Sequence, residues 1–275
     1  MGKKRPRKDS QVSEQAPDGV IFCREDLDPE TRRYWNHGRT LFSKFNDGIW
    51  LTNDMFFSVT PESIASYIAT YISAQGVSTI IDGFCGVGGN SIQFAKHVDK
   101  VIAIDCDPVL VSCARHNAAI YGVQDKIEFL VGDFFDLQNV YDADAVFLSP
   151  PWGGPKYLSK TIFDLVGMEP YGLYDLMKAA RKLSPNVALY IPKSSDLVQL
   201  LAEAENYLDE KSELTSQELE STIPRPEPLN ESESLLLSYL HINNKCKAIC
   251  AFYGSLAYGA DDLAVPLNPD VLVST

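Results

Sequence analysis

Residues 80–90 read Ile80-Ile81-Asp82-Gly83-Phe84-Cys85-Gly86-Val87-Gly88-Gly89-Asn90, and the fold turns on this stretch. A strand-like run from Val77 ends at Ile81, three glycines (Gly86, Gly88, Gly89) fall within four positions, and a helical pattern takes over at Asn90. Glycines at these places let the backbone come closer to a bound molecule than any side chain would allow. Such a strand, loop and helix open a parallel sheet whose ligand sits at the carboxyl ends of the strands. Taken alone, the loop fits a dinucleotide, a phosphate or a plain tight turn.

The flanking sequence keeps the same grammar. Upstream, Thr60-Pro61-Glu62 predicts a helix start with a hydroxyl cap, proline at the first helical position and an acid in the first turn. Ile64, Ile68 and Ile72 give that helix a buried face, and Gly76 ends it. Downstream, strand-like runs at 101–104, 126–130, 143–148 and 187–191 alternate with helical ones at 90–97, 108–121 and 171–183. Two last strand runs, 235–241 and 247–253, flank the polar turn Asn243-Asn244. The pattern predicts an α/β fold with a mostly parallel, doubly wound seven-stranded sheet, closed by an antiparallel C-terminal hairpin.

Length and composition bound the rest. At 275 residues and 45% hydrophobic content, the chain can bury one large α/β domain with appendages. The predicted layout is a basic disordered tail over 1–18, a small helical N-terminal extension over 19–57, the main α/β domain over 58–256, and a C-terminal tail over 257–275. Apolar runs stay short of the ~18 residues of a membrane span, and MGKKRPRKDS lacks a signal-peptide core, so a soluble intracellular protein without membrane contact is expected. Lys3-Lys4-Arg5-Pro6-Arg7-Lys8 suits a nuclear import signal or a phosphate-binding arm. The six cysteines are scattered, with no zinc spacing, and no metal is expected. A net charge of −13 excludes a broad cationic nucleic-acid face. Eight of those negative charges come from 203–233, where ten acids meet two bases. This segment reads as an inserted solvated loop or acidic helix.

Three strand ends carry the chemistry. Asp82 closes the first strand, where a carboxylate repels a pyrophosphate and attracts an ammonium group. Asp105 closes the second, in the place that grips ribose hydroxyls. Asp133, in Gly132-Asp133-Phe134, follows the third, where such sites meet an adenine ring. Together they fit S-adenosylmethionine, which has a cationic amino-acid end and no phosphates. The fourth strand ends in Phe147-Leu148-Ser149-Pro150-Pro151-Trp152-Gly153-Gly154. Its two prolines fix a donor-poor turn that presents an indole. Adenine-N6 and protein-glutamine methyltransferases carry Asp or Asn, then Pro-Pro and an aromatic, at this point. Here Ser149 stands first, which opposes those readings.

Leu41–Ile49, Phe57-Ser58-Val59-Thr60-Pro61, the Asp82–Asn90 loop, Asn117–Gly122 and Phe147–Tyr157 together resemble the trimethylguanosine synthases, over about residues 34–256. The resemblance implies a class I, Rossmann-like S-adenosylmethionine-dependent methyltransferase. Its reaction would be N2 methylation of the 7-methylguanosine cap of small nuclear and nucleolar RNAs, in two successive transfers. It implies Trp152 stacked on the 7-methylguanine, Ser149 and the Pro150 carbonyl orienting N2, and Asn117 on the guanine edge. Thr60 and Ser58 would line the cofactor and cap, and Phe42 would close over the site. Arg33, Tyr157 and Lys193 would grip the triphosphate. The cofactor set is Thr60, Asp82, Phe84, Gly86, Gly88, Asn90, Asp105 and Asp133. The family also implies a monomer in the nucleus and nucleolus, working beside small nuclear and nucleolar ribonucleoprotein proteins. A cap-binding module without activity would keep Trp152 but not the cofactor loop, and a dinucleotide oxidoreductase is opposed by Asp82.

Overall fold

The computed structural model describes residues 15–137, 141–154, 157, 161–206, 235–258 and 271–274. The basic cluster of residues 3–8 and most of the acidic segment lie outside the described residues.

Eight strands form one sheet: β1 (Thr79–Asp82), β2 (Lys100–Asp105), β3 (Ile127–Val131), β4 (Ala145–Leu148), β5 (Val187–Pro192), β6 (Leu235–Ile242), β7 (Lys245–Tyr253) and β8 (Val271–Ser274). Their order is β3-β2-β1-β4-β5-β7-β6-β8. The first five are parallel, β7 runs antiparallel to β5, and β6 antiparallel to β7. This is the seven-stranded Rossmann-like sheet expected from the sequence, with one addition. β8 pairs antiparallel with β6, so the residues read as a C-terminal tail contribute an outer strand. Asn243 and Asn244 take φ of 51° and 60°, the left-handed pair that a two-residue hairpin loop requires.

Alternation along each strand feeds two cores, one on each face of the sheet. Ile80, Val101, Ala103 and Phe147 face one core, closed by α3 (Glu62–Ala74), α4 (Gly89–His97) and α5 (Pro108–Tyr121). Ile81, Ile102, Ile104, Val146 and Leu148 face the other, closed by α6 (Leu173–Arg181) and a helical stretch over residues 197–206. The lead-in, with its short helices α1 (Gly38–Leu41) and α2 (Met55–Ser58), joins the first core through Leu27, Phe42, Leu51 and Phe56, all buried. Each such side chain taken out of water contributes roughly 1.5–3 kcal/mol.

Two local expectations change. Helix α3 begins one residue later than predicted: Pro61 is its N-cap and Thr60 makes no capping bond. The Thr60 hydroxyl instead accepts from Asn90 Nδ2 at 3.1 Å, tying the start of α3 to the start of α4. At the head of the acidic segment, Glu203 is not solvated. It is buried on the 197–206 helix and paired with Arg181 of α6, with a second contact at 3.1 Å. The described residues contain no helix long and apolar enough to cross a membrane.

Candidate active site

Strand order reverses between β1 and β4, which lie side by side with Asp82 opposite Phe147. Ligands bind at such a switch point because the loops leaving the two strands part there. The two loops are 83–88, after β1, and 149–154, after β4.

The first loop is held at nearly every step. Gly83 N–H donates to Phe147 O (2.9 Å), Cys85 N–H to Ile104 O (2.9 Å) and Gly86 N–H to Asp105 Oδ2 (2.9 Å). Gly88 takes a left-handed φ of +89°, and a Cβ there would stand 3.2 Å from the Ala114 backbone on α5. Any other residue would meet both the left-handed penalty and that wall. Asp82 is fully buried; Ser91 Oγ–H donates to its Oδ2 at 2.6 Å, while its Oδ1 has no partner among the described residues. Burial pushes this carboxyl up to about 7, against the Ser91 hydrogen bond and with help from the charge of Asp105. Asn90 Oδ1 is also buried without a partner. Two unmatched acceptors beside a glycine loop are what a ligand bearing an ammonium group and donor hydroxyls would complete.

Asp105, at the end of β2, accepts from the N–H groups of Gly86 and Asp107, and burial raises its carboxyl. Its neighbour β3 leads into Asp133, whose Oδ1 accepts from Phe135 N–H at 3.0 Å. Its Oδ2 accepts from the hydroxyl of Tyr171, in the stretch before α6. That bond drives the Tyr171 hydroxyl up to about 12. The Tyr171 ring packs on Phe135 at 4.2 Å, and Phe84 lies 5.9 Å from Phe134. Asp133 and Phe84 therefore stand in one aromatic-walled corner. Tyr171 was not singled out from sequence: its position, 38 residues downstream, carries no local signal.

The second loop has a different construction. Ser149 is half-buried, Pro150 buried and Pro151 exposed. Trp152 is half-buried between Tyr157 (5.2 Å, edge-on) and Tyr190 of β5 (5.3 Å, tilted). Those two rings cover part of the indole. Its N–H is buried with no acceptor among the described residues. Burial raises the hydroxyls of Tyr190 and Tyr157, the latter with help from Tyr34. Tyr34 packs on Phe57 at 6.0 Å, and Arg33 donates to Tyr34 Oη at 2.8 Å. Gly154 lies against the Phe57 ring. Arg33, Ser58 and Lys193 are exposed, the last just beyond β5 and close to Cys246.

Two residues expected to touch substrate are structural. Asn117 is fully buried, with Oδ1 accepting from Trp50 N–H (2.8 Å) and Nδ2 donating to Trp50 O and Val87 O (both 3.0 Å). Its amide is saturated by the lead-in and the glycine loop, so nothing remains for a base edge. Phe42 is buried against the start of α4 near Gly89 and cannot close over a ligand. Among the described residues, no three His, Cys, Asp or Glu side chains group to hold a metal.

Residues 77–256 match the model of a family described as RNA cap guanine-N2 methyltransferase. The chain is 43% identical over 178 residues to a trimethylguanosine synthase of Schizosaccharomyces pombe, covering 62% of this chain and 74% of that protein. A trimethylguanosine synthase of Saccharomyces cerevisiae is 41% identical over 177 residues, covering 61% of this chain and 56% of that protein. Among solved structures, a Porphyromonas gingivalis protein described as a methyltransferase aligns with a TM-score of 0.53 at 15% identity. That match covers 83% of this chain and 51% of the other, a likeness of fold.

Proposed function

The chain belongs to the RNA cap guanine-N2 methyltransferase family, and on that premise we propose that it converts the 7-methylguanosine cap of small nuclear and nucleolar RNAs to 2,2,7-trimethylguanosine by two successive N2 methylations. S-Adenosylmethionine is the methyl donor. When bound, it supplies an electrophilic methyl group on a sulfonium centre. Asp82, Gly86, Gly88 and Asn90 would hold its amino-acid end, with Thr60 bracing Asn90. Asp105 would take the ribose, and Phe84 and Asp133 the adenine. The unmatched oxygens of Asp82 and Asn90 support this division.

The observation that carries the substrate reading is Trp152, an indole braced by Tyr157 and Tyr190 at the end of β4. Its N–H is buried with no acceptor among the described residues. A 7-methylguanine carries a positive charge, and indole offers the strongest cation–π face, worth about 2 kcal/mol once desolvated. The Ser149 hydroxyl and Pro150 carbonyl would accept from the exocyclic amine and aim its lone pair. The ring charge acidifies that amine, so its proton can leave to water or Ser149 without a strong base. Most of the acceleration would come from proximity and orientation. Arg33, Tyr157 and Lys193 would meet the triphosphate, with Ser58 on the rim. The basic cluster of residues 3–8 supports a nuclear protein, with the nucleolus and ribonucleoprotein proteins as its setting.

Methyl-labelled S-adenosylmethionine offered with a methylated or an unmethylated cap dinucleotide tests the reading. Label on N2 of the methylated cap alone is expected. Equal labelling of both caps would overturn the cationic stack, and tight cap binding without transfer would leave only a binding module.

A further inference from the structure

A concavity lies beside the N-terminal lead-in. It is a polar groove of about 620 Å³ between α1, the N-terminal half of α3, α4 and the tip of the β6–β7 hairpin. Arg39, Thr40, Glu62, Ser63, Ser66 and Asn243 are among the residues that line it.

The groove shares its walls with the Trp152 site. The segment around residues 33–43 and the segment around 57–66 run side by side. At one end they meet through the Tyr34 and Phe57 rings, 6.0 Å apart, where Phe57 touches Gly154 of the Trp152 loop. At the other end the same two segments supply Arg39, Thr40, Ser63 and Ser66. This seam is the wall that the Trp152 loop and the groove have in common.

The chemistry of the groove suits RNA. Glu62 is fully occupied: Ser43, Gln93, Tyr121 and Lys96 all direct donors at its carboxylate. Burial opposes its ionised form, but the Ser43 bonds, Lys96 and Tyr121 outweigh burial and hold the carboxyl below the usual range. Its charge is thus matched from within. Arg39 is exposed, and no hydrogen bond or ion pair engages it among the described residues. The open face therefore offers one guanidinium, a row of hydroxyls and an amide. A guanidinium and hydroxyls bind phosphate oxygens, and the hydroxyls and amide can also pair with ribose 2′-OH groups. With the whole chain at −13, this local mixture is the kind of footprint through which an acidic protein can hold a short single strand.

We propose that this groove binds the first transcribed nucleotides of the capped RNA, as single-stranded RNA, beyond the triphosphate. The inference rests on the cap reading above. It predicts that a capped oligoribonucleotide of about ten nucleotides binds more tightly than the cap dinucleotide, by about tenfold at low salt. Arg39→Ala removes about fivefold of the oligonucleotide affinity and lowers its log–log salt slope by about 0.7. It leaves dinucleotide affinity unchanged. Ser63→Asp, an acid where the first helical turn tolerates one, weakens the oligonucleotide in the same way. An oligodeoxynucleotide carrying the same cap gains less than the RNA. Wild-type protein that binds the oligonucleotide no better than the dinucleotide, or an Arg39→Ala protein that loses both ligands equally, overturns the groove. Failure of the wild type to prefer the methylated cap dinucleotide overturns the cap reading itself, and the groove with it.

Discussion

The loops after β1 and β4 lie side by side yet are held by opposite means. Hydrogen bonds fix the first at Gly83, Cys85, Gly86, Val87 and Gly88. Among the described residues, no side-chain hydrogen bond reaches residues 149–154, where prolines and ring contacts stand instead. Directional bonds suit a ligand of one fixed shape. Prolines leave carbonyls free, and aromatic packing tolerates small shifts such as the two proposed methylations would demand. The two loops should therefore fail differently when altered.

The largest effect should come from the ring-built side. Trp152→Ala is expected to lower transfer to the methylated cap by more than 100-fold while leaving S-adenosylhomocysteine affinity within about threefold, since lost stacking does not touch the adenosine corner. Calorimetry with each ligand separates the two. A parallel loss of both would mean that the loops act as one unit.

On the hydrogen-bonded side the decisive group is Asp82, and it carries a pH signature. Its ordinary value is 3.8 and its folded value about 7. Between these limits the folded state holds more protons than the unfolded state. The stability this group lends is thus complete below about pH 4 and is lost as pH rises through about 7. Asp82→Asn should raise the melting temperature of the ligand-free protein by several degrees at pH 8.5 and give little gain at pH 5. If Asp82 holds the ammonium group as proposed, the change should also weaken S-adenosylhomocysteine by roughly 10- to 100-fold. A gain of equal size at both pH values would sink the buried-charge account.

The same contrast explains what the sequence disclosed. Features encoded by neighbours in the chain were legible: the strand–glycine loop–helix at 80–90, the alternation that set the parallel sheet, and the Asn243-Asn244 hairpin. Features set by partners far along the chain were not. Asn117 looked like a base contact, but its partners Trp50 and Val87 lie 67 and 30 residues away and consume its amide. Phe42 looked like a lid until the lead-in folded it under α4. Glu203 read as solvated because its partner, Arg181, is 22 residues upstream. Thr60 followed the usual cap pattern, yet its oxygen serves Asn90. β8 was missed because four residues carry too little pattern to stand out from a tail. In the proposed site itself, the motif residues sit at the strand ends that adjacency predicted. The supporting shell around them, Tyr171, Tyr190 and Ser91, comes from tertiary packing that one sequence does not reveal.

Tyr171 gives the smallest and most discriminating test, because it crosses between the two halves. It belongs to the stretch between β4 and α6, yet its hydroxyl donates to Asp133 beyond β3. With Phe135 N–H on the other oxygen, this bond fixes the carboxylate's rotation and so the direction of its remaining lone pairs. Tyr171→Phe keeps the ring against Phe135 and deletes only the donor. If Asp133 meets the adenine amine, freeing its rotation should weaken S-adenosylhomocysteine by about three- to fivefold, the scale of one neutral hydrogen bond. The analogue with hypoxanthine in place of adenine should be affected less, since it lacks that amine. Cap affinity should not move, because the ring contacts of Trp152, to Tyr157 and Tyr190, involve neither Tyr171 nor Asp133. A loss of cap affinity instead would mean that the stretch before α6 supports the acceptor side, and that the two loops share a scaffold despite their different construction.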